Sequence, residues 1–346
     1  MPRCDTLAAR DGVADRTIAS VTDTATDPTE PAPQQRDGDK PLRTAVVVNP
    51  NRVEGTDELR QAITDQLAAA GWPAPAWLET TAEDPGTGQA RQAVEDGAEV
   101  VLVCGGDGTV RAVIEGLVGT DTALAVLPGG TGNLLAANLD VPTNVPDGVD
   151  TVLARGRRQI DVGRADGQVF AVMAGMGLDA ATMDDAPTAL KNKAGSIAYV
   201  FSAIKHLADD EMHVEIEIDG GAPRRRRARS VLIGNVGRLQ GGITLLPDAQ
   251  PDTGTMEVAV LAPKNVGHWV QLLVGIALRR KRVPAREIVR GSHVVVRCDR
   301  PQPRQLDGDV LDPGRTLEVT VEPRSLWVCV HQPDTSPDLA EGGPHH

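Results

Sequence analysis

Two glycine-rich turns hold the residues whose types and spacing are best suited to chemistry. The first is "GGDGT", Gly105 to Thr109, and the second is "LPGGTGN", Leu127 to Asn133. Each turn follows an apolar run and precedes a helix-like pattern. Glycine lets backbone N–H groups approach an anion closely, and a helix N-terminus adds unpaired donors and the positive end of the helix dipole. Together the two turns predict sites for phosphate groups.

Asp107 is the member of the first turn that does not suit a phosphate, because a carboxylate repels phosphate unless a cation lies between them. In one interpretation, Asp107 acts through Mg²⁺ that bridges to a nucleotide. In the other, the turn is only a tight connection and Asp107 caps the following helix. The turn is neither a Walker loop, which needs GK[ST], nor a dinucleotide GxGxxG motif. In the second turn, Thr131 and Asn133 can donate hydrogen bonds to phosphate or ribose oxygens.

The elements around these turns alternate between strand and helix. "RTAVVVNP", "APAWLETT" and "AEVVLVCGG" predict short strands, while "TDELRQAITDQLAAAG" and "GQARQAVEDG" predict helices between them. Strands that are apolar on both sides and alternate with helices indicate a parallel sheet covered by helices. Such sheets bind ligands at the carboxyl ends of their strands. The segments "VNPN", "ETT", "CGGDGT" and "LPGGTGN" all lie at those ends and should meet at one crevice.

The pattern changes after about residue 158. "RQIDVGRADGQVFAVMAG" predicts two strands joined at Asp166-Gly167, and "HVEIEIDGGAPRRRRARSVLIGNV" predicts a hairpin around its glycines. "TMEVAVLAP", "HVVVRCDRP" and "TLEVTVEP" predict further strands. Helix-like patterns in "AGSIAYVFSAIKHL" and "VGHWVQLLVGIALRRKR" lie among them. A second domain that is mostly antiparallel β-sheet is therefore expected.

The composition of the 346-residue chain excludes several classes of protein. A net charge of −13, a pI of about 5.0 and only 2% aromatic residues argue against a nucleic-acid partner. The four cysteines form no CxxC pair, which favours a reducing cytoplasm over a disulfide framework or a zinc site. No apolar run is long enough to span a bilayer, so any membrane contact should be peripheral. Residues 1–42 and 332–346 are polar and predict disordered tails.

In order along the chain, "VVVNP", "CGGDGT" and "LPGGTGN" resemble the diacylglycerol kinase catalytic domain. That family includes sphingosine and ceramide kinases and soluble bacterial lipid kinases, and it shares a distant fold with NAD kinases. "QIDVGRADGQVFAVMAGMGLDA", "VLIGNVGRLQGGITLLPDAQPDTGTMEVAVL" and "QLDGDVL" resemble later blocks of the family, so that the likeness covers roughly residues 44 to 330.

The resemblance implies a two-lobed fold. A three-layer α/β lobe, residues 43–158, would hold ATP, and an antiparallel β-sandwich lobe, residues 159–305, would hold the lipid. Residues 306–331 would return to the first lobe. By position, the resemblance assigns nucleotide binding to Asn49, Pro50, Asn51, Thr81, Gly105, Gly106, Asp107, Gly108, Thr109, Thr131 and Asn133, with Thr80 as the alternative to Thr81.

"LDGDV" resembles the family's "DGE" motif, whose acidic third residue is the proposed general base. By that resemblance Asp309 would accept the proton of the lipid hydroxyl. Aspartate is one methylene shorter than glutamate, so backbone position must supply the reach. Without the resemblance, Asp307-Gly308 would be interpreted as a hairpin turn, because Asp-Gly is a strong turn signal.

"PDAQPDTGTMEV" resembles the family's structural Mg²⁺ loop, which usually ends in Asp-Asp-Gly. Here the sequence is Asp252-Thr253-Gly254, so a threonine replaces the family's metal ligand. Asp252 would have to substitute, with help from the backbone carbonyls of Gln250 and Thr255. The alternative is a weak or absent metal site, because Mg²⁺ prefers carboxylate and carbonyl oxygens.

Two basic clusters, Arg224–Arg227 with Arg229 and Arg279–Arg282, suit either an anionic membrane surface or a solvated strand face and helix end.

The resemblance predicts an ATP- and Mg²⁺-dependent lipid kinase, most simply one that converts diacylglycerol to phosphatidic acid. Related enzymes indicate a homodimer. The alternatives are a kinase of a soluble metabolite such as NAD, and a non-catalytic protein that binds nucleotide or lipid.

Overall fold

The computed structural model describes most of the chain. The described residues are 40–53, 55–128, 133–142, 144–177, 211–239, 244–278 and 283–331. The predicted tails, except for residues 40–42, and the helix-like segment "AGSIAYVFSAIKHL" lie outside them.

The first part of the chain alternates strand and helix, as the pattern predicts. Its elements are β1 Thr44–Val48, α1 Thr56–Ala69, β2 Ala76–Glu79, α2 Thr87–Glu95, β3 Val100–Gly105, α3 Asp107–Leu117, β4 Ala123–Pro128, α4 Leu134–Asn138 and α5 Val145–Leu153. All residues of β1 and β3 are buried, because helices cover both faces of these strands. The helix α5 begins where the side chain of Asn144 accepts a hydrogen bond from the N–H of Asp147.

The second part is mostly β-structure. Its elements are β5 Arg157–Ala165, β6 Gln168–Phe170, β7 Met173–Met176, β8 Met212–Ile218, β9 Arg224–Ala228, β10 Ser230–Gly234, β11 Met256–Leu261, α6 Val266–Ala277, β12 Arg286–Gly291, β13 His293–Leu306 and β14 Asp309–Cys329. The predicted turn between β5 and β6 is present, with Asp166 and Gly167 both at positive φ. The strands β13 and β14 are longer than "HVVVRCDRP" and "TLEVTVEP" indicate.

The described strands form one sheet in the order β12-β11-β10-β7-β13-β14-β4-β3-β1-β2. The neighbours from β4 to β2 are parallel, whereas those from β12 to β14 are antiparallel. β14 joins the two parts, because Trp327 and Val328 pair in parallel with β4. β5 and β6 branch from this path at β14, and β8 and β9 branch from it at β13. The expected fold class, an α/β lobe followed by an antiparallel β-sandwich lobe, is confirmed.

Among the described residues, three groups of buried side chains fill the space around the sheet. One includes Ile63 and Leu67, four residues apart on α1, and burial of such a side chain stabilises by about 1.5–3 kcal/mol. A second includes Val113 and Ile114 of α3. The third fills the β-rich part around Phe170. The packing of α3 fixes its N-terminus at the edge of the parallel strands.

Candidate active site

The site begins where the order of the parallel strands reverses. β1 lies between β2 and β3, so the chain leaves β1 to one side and then crosses to the other. Loops that diverge at such a point leave a crevice at the carboxyl ends of the strands. There Nδ2 of Asn49 donates a hydrogen bond to Oγ1 of Thr109 at 3.1 Å, and Oδ1 of Asn49 accepts one from the N–H of Asn51 at 3.1 Å. Pro50 between them is exposed. The structure thus brings the first predicted loop to the GGDGT turn.

The GGDGT turn connects β3 to α3 with little room on one side and open space on the other. A Cβ atom at Gly105 would lie 2.7 Å from Cβ of Thr109, so no side chain fits there. A Cβ atom at Gly106 would meet nothing within 4 Å. The N-cap residue of α3 is Gly106, which has no side chain to cap the helix. Uncapped N–H donors beside open space are the features that an anion site at a helix N-terminus needs.

The carboxylate of Asp107 caps α4. Its Oδ1 atom accepts a hydrogen bond from the N–H of Leu134 at 2.8 Å. Burial raises the pKa of Asp107, hydrogen bonds from the backbone of Leu134 and Asn133 oppose that rise, and the charge of Asp309 adds to it. The interpretation of Asp107 as a cap of the following helix is therefore incomplete, because the carboxylate interacts with its own N–H at the start of α3 and also caps α4. The role of Asp107 toward Mg²⁺ stays a prediction.

The remaining predicted nucleotide residues differ in accessibility. Thr80 is buried, and its N–H donates to the carbonyl of Val48 at 2.9 Å. Thr81 is exposed at the crevice end of β2, where its Oγ1 accepts from the N–H of Asp84 at 3.1 Å. Asn133 is buried and takes a left-handed φ of 38° directly before α4, whereas Thr131 lies outside the described residues.

The segment "LDGDV" forms the tip of the hairpin between β13 and β14. Leu306 pairs with Asp309 across the tip, and φ is 50° at Asp307 and 95° at Gly308, as a two-residue turn of this kind requires. The hairpin interpretation is confirmed. It does not compete with the role of a base, because Asp309 is the first residue of β14 and lies just beyond the turn.

Asp309 lies against the first turns of α3. A Cβ atom at Gly108 would lie 3.5 Å from each carboxylate oxygen of Asp309. Arg111 donates to Oδ2 of Asp309 from Nε at 3.0 Å and from Nη2 at 2.8 Å. The side chain of Asp309 is 45% exposed. The hairpin therefore carries a solvent-accessible carboxylate to the GGDGT turn.

Asp307 has a role beyond the turn that the sequence predicts. Its carboxylate is buried and accepts three backbone hydrogen bonds, from Ala171 at 2.8 Å, Val172 at 2.9 Å and Met173 at 2.8 Å. Its own N–H donates to the carbonyl of Met173 at 2.9 Å. Burial raises the pKa of Asp307 to about 6, against the opposing effect of the three N–H donors. Asp307 thus holds the hairpin in place, and nothing local in the sequence marks it for that task.

The predicted metal loop is held by protein groups. Oγ1 of Thr253 lies 3.4 Å from the carbonyl oxygen of Gln250 and 3.2 Å from that of Thr255. Oδ2 of Asp252 accepts from Nε and Nη2 of Arg158 at 3.0 and 2.6 Å. The hydroxyl thus lies between the two carbonyls, while the carboxylate faces a guanidinium. In this arrangement the donor set fits Mg²⁺ poorly, because Mg²⁺ prefers free carboxylates and carbonyls. A metal held by Gln250, Asp252 and Thr255 stays a prediction.

A second carboxylate holds the same loop from inside. Asp161 is fully buried. Its Oδ2 accepts from the N–H of Gly254 at 2.6 Å, and its Oδ1 accepts from the N–H of Arg324 at 2.8 Å. Within the described residues, no three histidine, cysteine, aspartate or glutamate side chains are grouped as metal ligands. The loop therefore keeps its shape through hydrogen bonds and an ion pair.

We expect the melting temperature of the nucleotide-free chain to be the same in Mg²⁺ and in EDTA, because the polar groups of the loop pair with other protein groups. Replacing Thr253 by aspartate should make the melting temperature rise with Mg²⁺, since it adds a carboxylate between the carbonyls. The control is Thr253→Val, which should lower the free energy of unfolding by about 1 kcal/mol in either buffer. Thermal unfolding measures all three proteins. A Mg²⁺-dependent rise in the original chain would contradict the expectation.

Two protein-family models match the chain. The model "Diacylglycerol kinase catalytic domain" matches residues 43–165, and "YegS C-terminal NAD kinase beta sandwich-like domain" matches residues 171–330. A Pseudomonas fluorescens protein named "Probable lipid kinase YegS-like" is 31% identical over 303 residues, which are 86% of this chain and 98% of that protein. The chain belongs to the lipid kinase family of diacylglycerol kinases and YegS-like kinases.

These matches confirm the resemblance to the diacylglycerol kinase family that the motifs of this lipid kinase indicate. A protein of Bacillus subtilis named "Diacylglycerol kinase" is 28% identical over 253 residues, which are 71% of this chain and 82% of that protein. A solved structure of a diacylglycerol kinase from Bacillus anthracis superposes with a TM-score of 0.65 at 20% identity, covering 84% of this chain and 97% of the other. That likeness shows that the two chains share a fold.

The basic run on β9 of the lipid kinase is partly paired with carboxylates. Nε of Arg225 lies 2.7 Å from Glu215, and Nε of Arg226 lies 2.7 Å from Glu287. These pairs are what a solvated strand face would show. The cluster Arg279–Arg282 lies outside the described residues. No helix in the described part of the chain is both long and apolar enough to cross a bilayer, and contact with a membrane surface stays a prediction.

Proposed function

We propose that this lipid kinase transfers the γ-phosphoryl group of ATP to the hydroxyl of a lipid alcohol, with diacylglycerol as the first candidate and phosphatidic acid as its product. The observation that carries the proposal is the position of Asp309, whose carboxylate lies beside Gly108 at the start of α3. A proton acceptor thus stands next to a turn with the features of a phosphate site. Family membership supports a lipid acceptor, and the Bacillus subtilis relative is named a diacylglycerol kinase.

In the proposed reaction, the N–H groups of the GGDGT turn bind the nucleotide phosphates, and Asn49 holds Thr109 at the far side of the crevice. The carboxylate of Asp309 accepts the proton of the lipid hydroxyl. The lipid oxygen forms a bond to the γ-phosphorus, while the bond from that phosphorus to the β–γ bridging oxygen breaks. The electron pair of the broken bond leaves with ADP. Positioning and charge stabilisation supply most of the catalysis in such transfers.

The crevice also fits the Mg²⁺ that accompanies ATP. The carboxylates of Asp107 and Asp309 lie close enough for the charge of Asp309 to disfavour ionisation of Asp107. A divalent cation relieves such repulsion, and Mg²⁺ is commonly bound by one or two carboxylates together with substrate phosphates. Asp107 would hold the cation, which would supply neutralising charge to the phosphate oxygens. This site is separate from the loop at Thr253.

The test is a panel assay with the purified full-length chain and radiolabelled ATP. The acceptors are detergent-dispersed diacylglycerol, ceramide and sphingosine, and soluble NAD, each with Mg²⁺ and with EDTA. We expect label to move to diacylglycerol only when Mg²⁺ is present. Transfer to another lipid would keep the reaction class and change the acceptor.

Two other outcomes would overturn the proposal. Transfer to NAD alone would make the protein a kinase of a soluble metabolite. ATP binding without transfer to any acceptor would make it a nucleotide-binding protein without this activity. Sedimentation of the same preparation with and without anionic vesicles tests the predicted peripheral membrane contact, and its sedimentation coefficient tests the predicted homodimer.

A further inference from the structure

Arg111 connects three elements at the crevice. It lies in the second turn of α3, and its Nε and Nη2 atoms donate to Oδ2 of Asp309 at 3.0 and 2.8 Å. Its Nη1 atom donates to Oε1 of Gln168 on β6 at 3.1 Å. The Arg111 side chain is only 19% exposed. The guanidinium of Arg111 thus links the tip of the β13–β14 hairpin to α3 of the α/β lobe, and Gln168 of β6 holds the guanidinium in turn.

The two carboxylate oxygens of Asp309 have different hydrogen-bond partners. Both guanidinium hydrogen bonds go to Oδ2, and no described residue donates a hydrogen bond to Oδ1. A carboxylate held at one oxygen by a planar fork has a fixed orientation, because both donors of the fork are rigid. Among the described residues, Oδ1 is then the oxygen left to accept an incoming proton.

We propose that Arg111 is a positioning residue that orients the carboxylate of Asp309 and leaves Oδ1 to accept the proton of the lipid hydroxyl. The inference rests on the proposed function of Asp309 and deepens it. The hairpin and the arginine fork together place the aspartate.

Stability alone is a poor explanation for the pair. An ion pair in which one side chain is 45% exposed contributes little to folding. Asp107 precedes Arg111 by four residues on α3 and would be its local helical partner, yet the observed ion pair of Arg111 is with Asp309. A small displacement of a reacting group, in contrast, can reduce turnover about 10²-fold. The effect of Arg111 should therefore appear in catalysis and not in folding.

The experiment compares Arg111→Met and Arg111→Lys with the original full-length chain, by kcat, by KM for ATP and for dispersed diacylglycerol, and by thermal unfolding. We expect Arg111→Met to lower kcat about 10²-fold, with KM for ATP and melting temperature nearly unchanged. Arg111→Lys should recover part of the loss, because it keeps the charge without the fork. In the double variant Arg111→Met, Asp309→Asn, the losses should not add, because the two residues act as a unit.

Arg164→Met is the matched control. Arg164 also links α3 to the β-rich part, through Glu115 at 3.3 Å, and it pairs with Glu322 at 2.6 Å, away from Asp309. The kcat of Arg164→Met should stay near that of the original chain. A raised KM for ATP at unchanged kcat in Arg111→Met would make Arg111 a phosphate ligand and overturn the inference, as would an unchanged kcat. If the original chain transfers phosphate to no acceptor, the proposed function fails together with this role.

Discussion

Replacing Asp309 by asparagine is expected to lower turnover about 10²- to 10⁴-fold, the range that general base catalysis contributes. Asparagine has nearly the same shape, and its amide oxygen can still accept from Arg111, which contacts Oδ2 of the aspartate at 2.8 Å. It cannot accept the proton of the lipid hydroxyl. The measurement is the initial rate of label transfer from ATP to dispersed diacylglycerol.

The matched control for this variant is Asp312→Asn. Asp312 is exposed on β14, and its backbone carbonyl accepts a hydrogen bond from Nε of Arg304 at 3.0 Å. This control should keep its turnover. ATP binding, followed with a fluorescent analogue, should be the same in both variants and in the original chain. Unchanged turnover in Asp309→Asn would reject Asp309 as the base and leave the binding role of the GGDGT turn intact.

Replacing Asp307 by alanine should lower the free energy of unfolding by about 3 kcal/mol or more at about pH 5, because three buried N–H groups lose their acceptor. At that pH the carboxyl of the original chain is mostly protonated, so the cost of burying its charge does not enter the comparison. Denaturant unfolding measures the difference. Asp312→Ala, an exposed change on β14, should stay within about 0.5 kcal/mol of the original chain.

The same pair of proteins has a defined pH dependence. The pKa of Asp307 is about 6 in the folded chain, whereas an unfolded aspartate titrates near ~3.9. Between these values the folded state binds more protons, so this group's contribution makes the free energy of unfolding fall as the pH rises from about 4 to about 6. The difference between the original chain and Asp307→Ala should therefore shrink over that range. A difference that grows with pH would show that the ionised carboxylate is the stabilising form.

The alternation of apolar runs predicts the parallel strands, because buried strands with helices between them leave a clear periodic pattern. The GGDGT turn can also be predicted from the sequence, because its glycines and the helix that follows them are adjacent in the chain. The local sequence does not predict the proposed role of Asp309, because Asp-Gly indicates only a turn. Its partner Arg111 is 198 residues away in the chain, and only the resemblance to a family connected that hairpin with phosphate chemistry.

The contacts that the sequence pattern does not predict share one physical cause, which is that the partners are distant in sequence. The backbone donors to Asp307 lie up to 136 residues away. Asp107 caps a helix that begins 27 residues later, and Asp252 pairs with an arginine 94 residues earlier. The sequence shows that Thr253 departs from the family pattern, but only the folded loop shows its hydroxyl beside the carbonyls of Gln250 and Thr255.

The pairing of β14 with β4 has a consequence for the order in which the chain folds during synthesis. β1 to β4 leave the ribosome early, yet the partner of β4 on its outer side is the segment at Trp327 and Val328. Until that segment emerges, β4 lacks the neighbour that completes the parallel sheet and exposes unpaired backbone groups, which promote association with other strands. The α/β lobe is therefore among the first parts made and among the last completed, and we expect a nascent chain to need protection of that edge until translation passes β14.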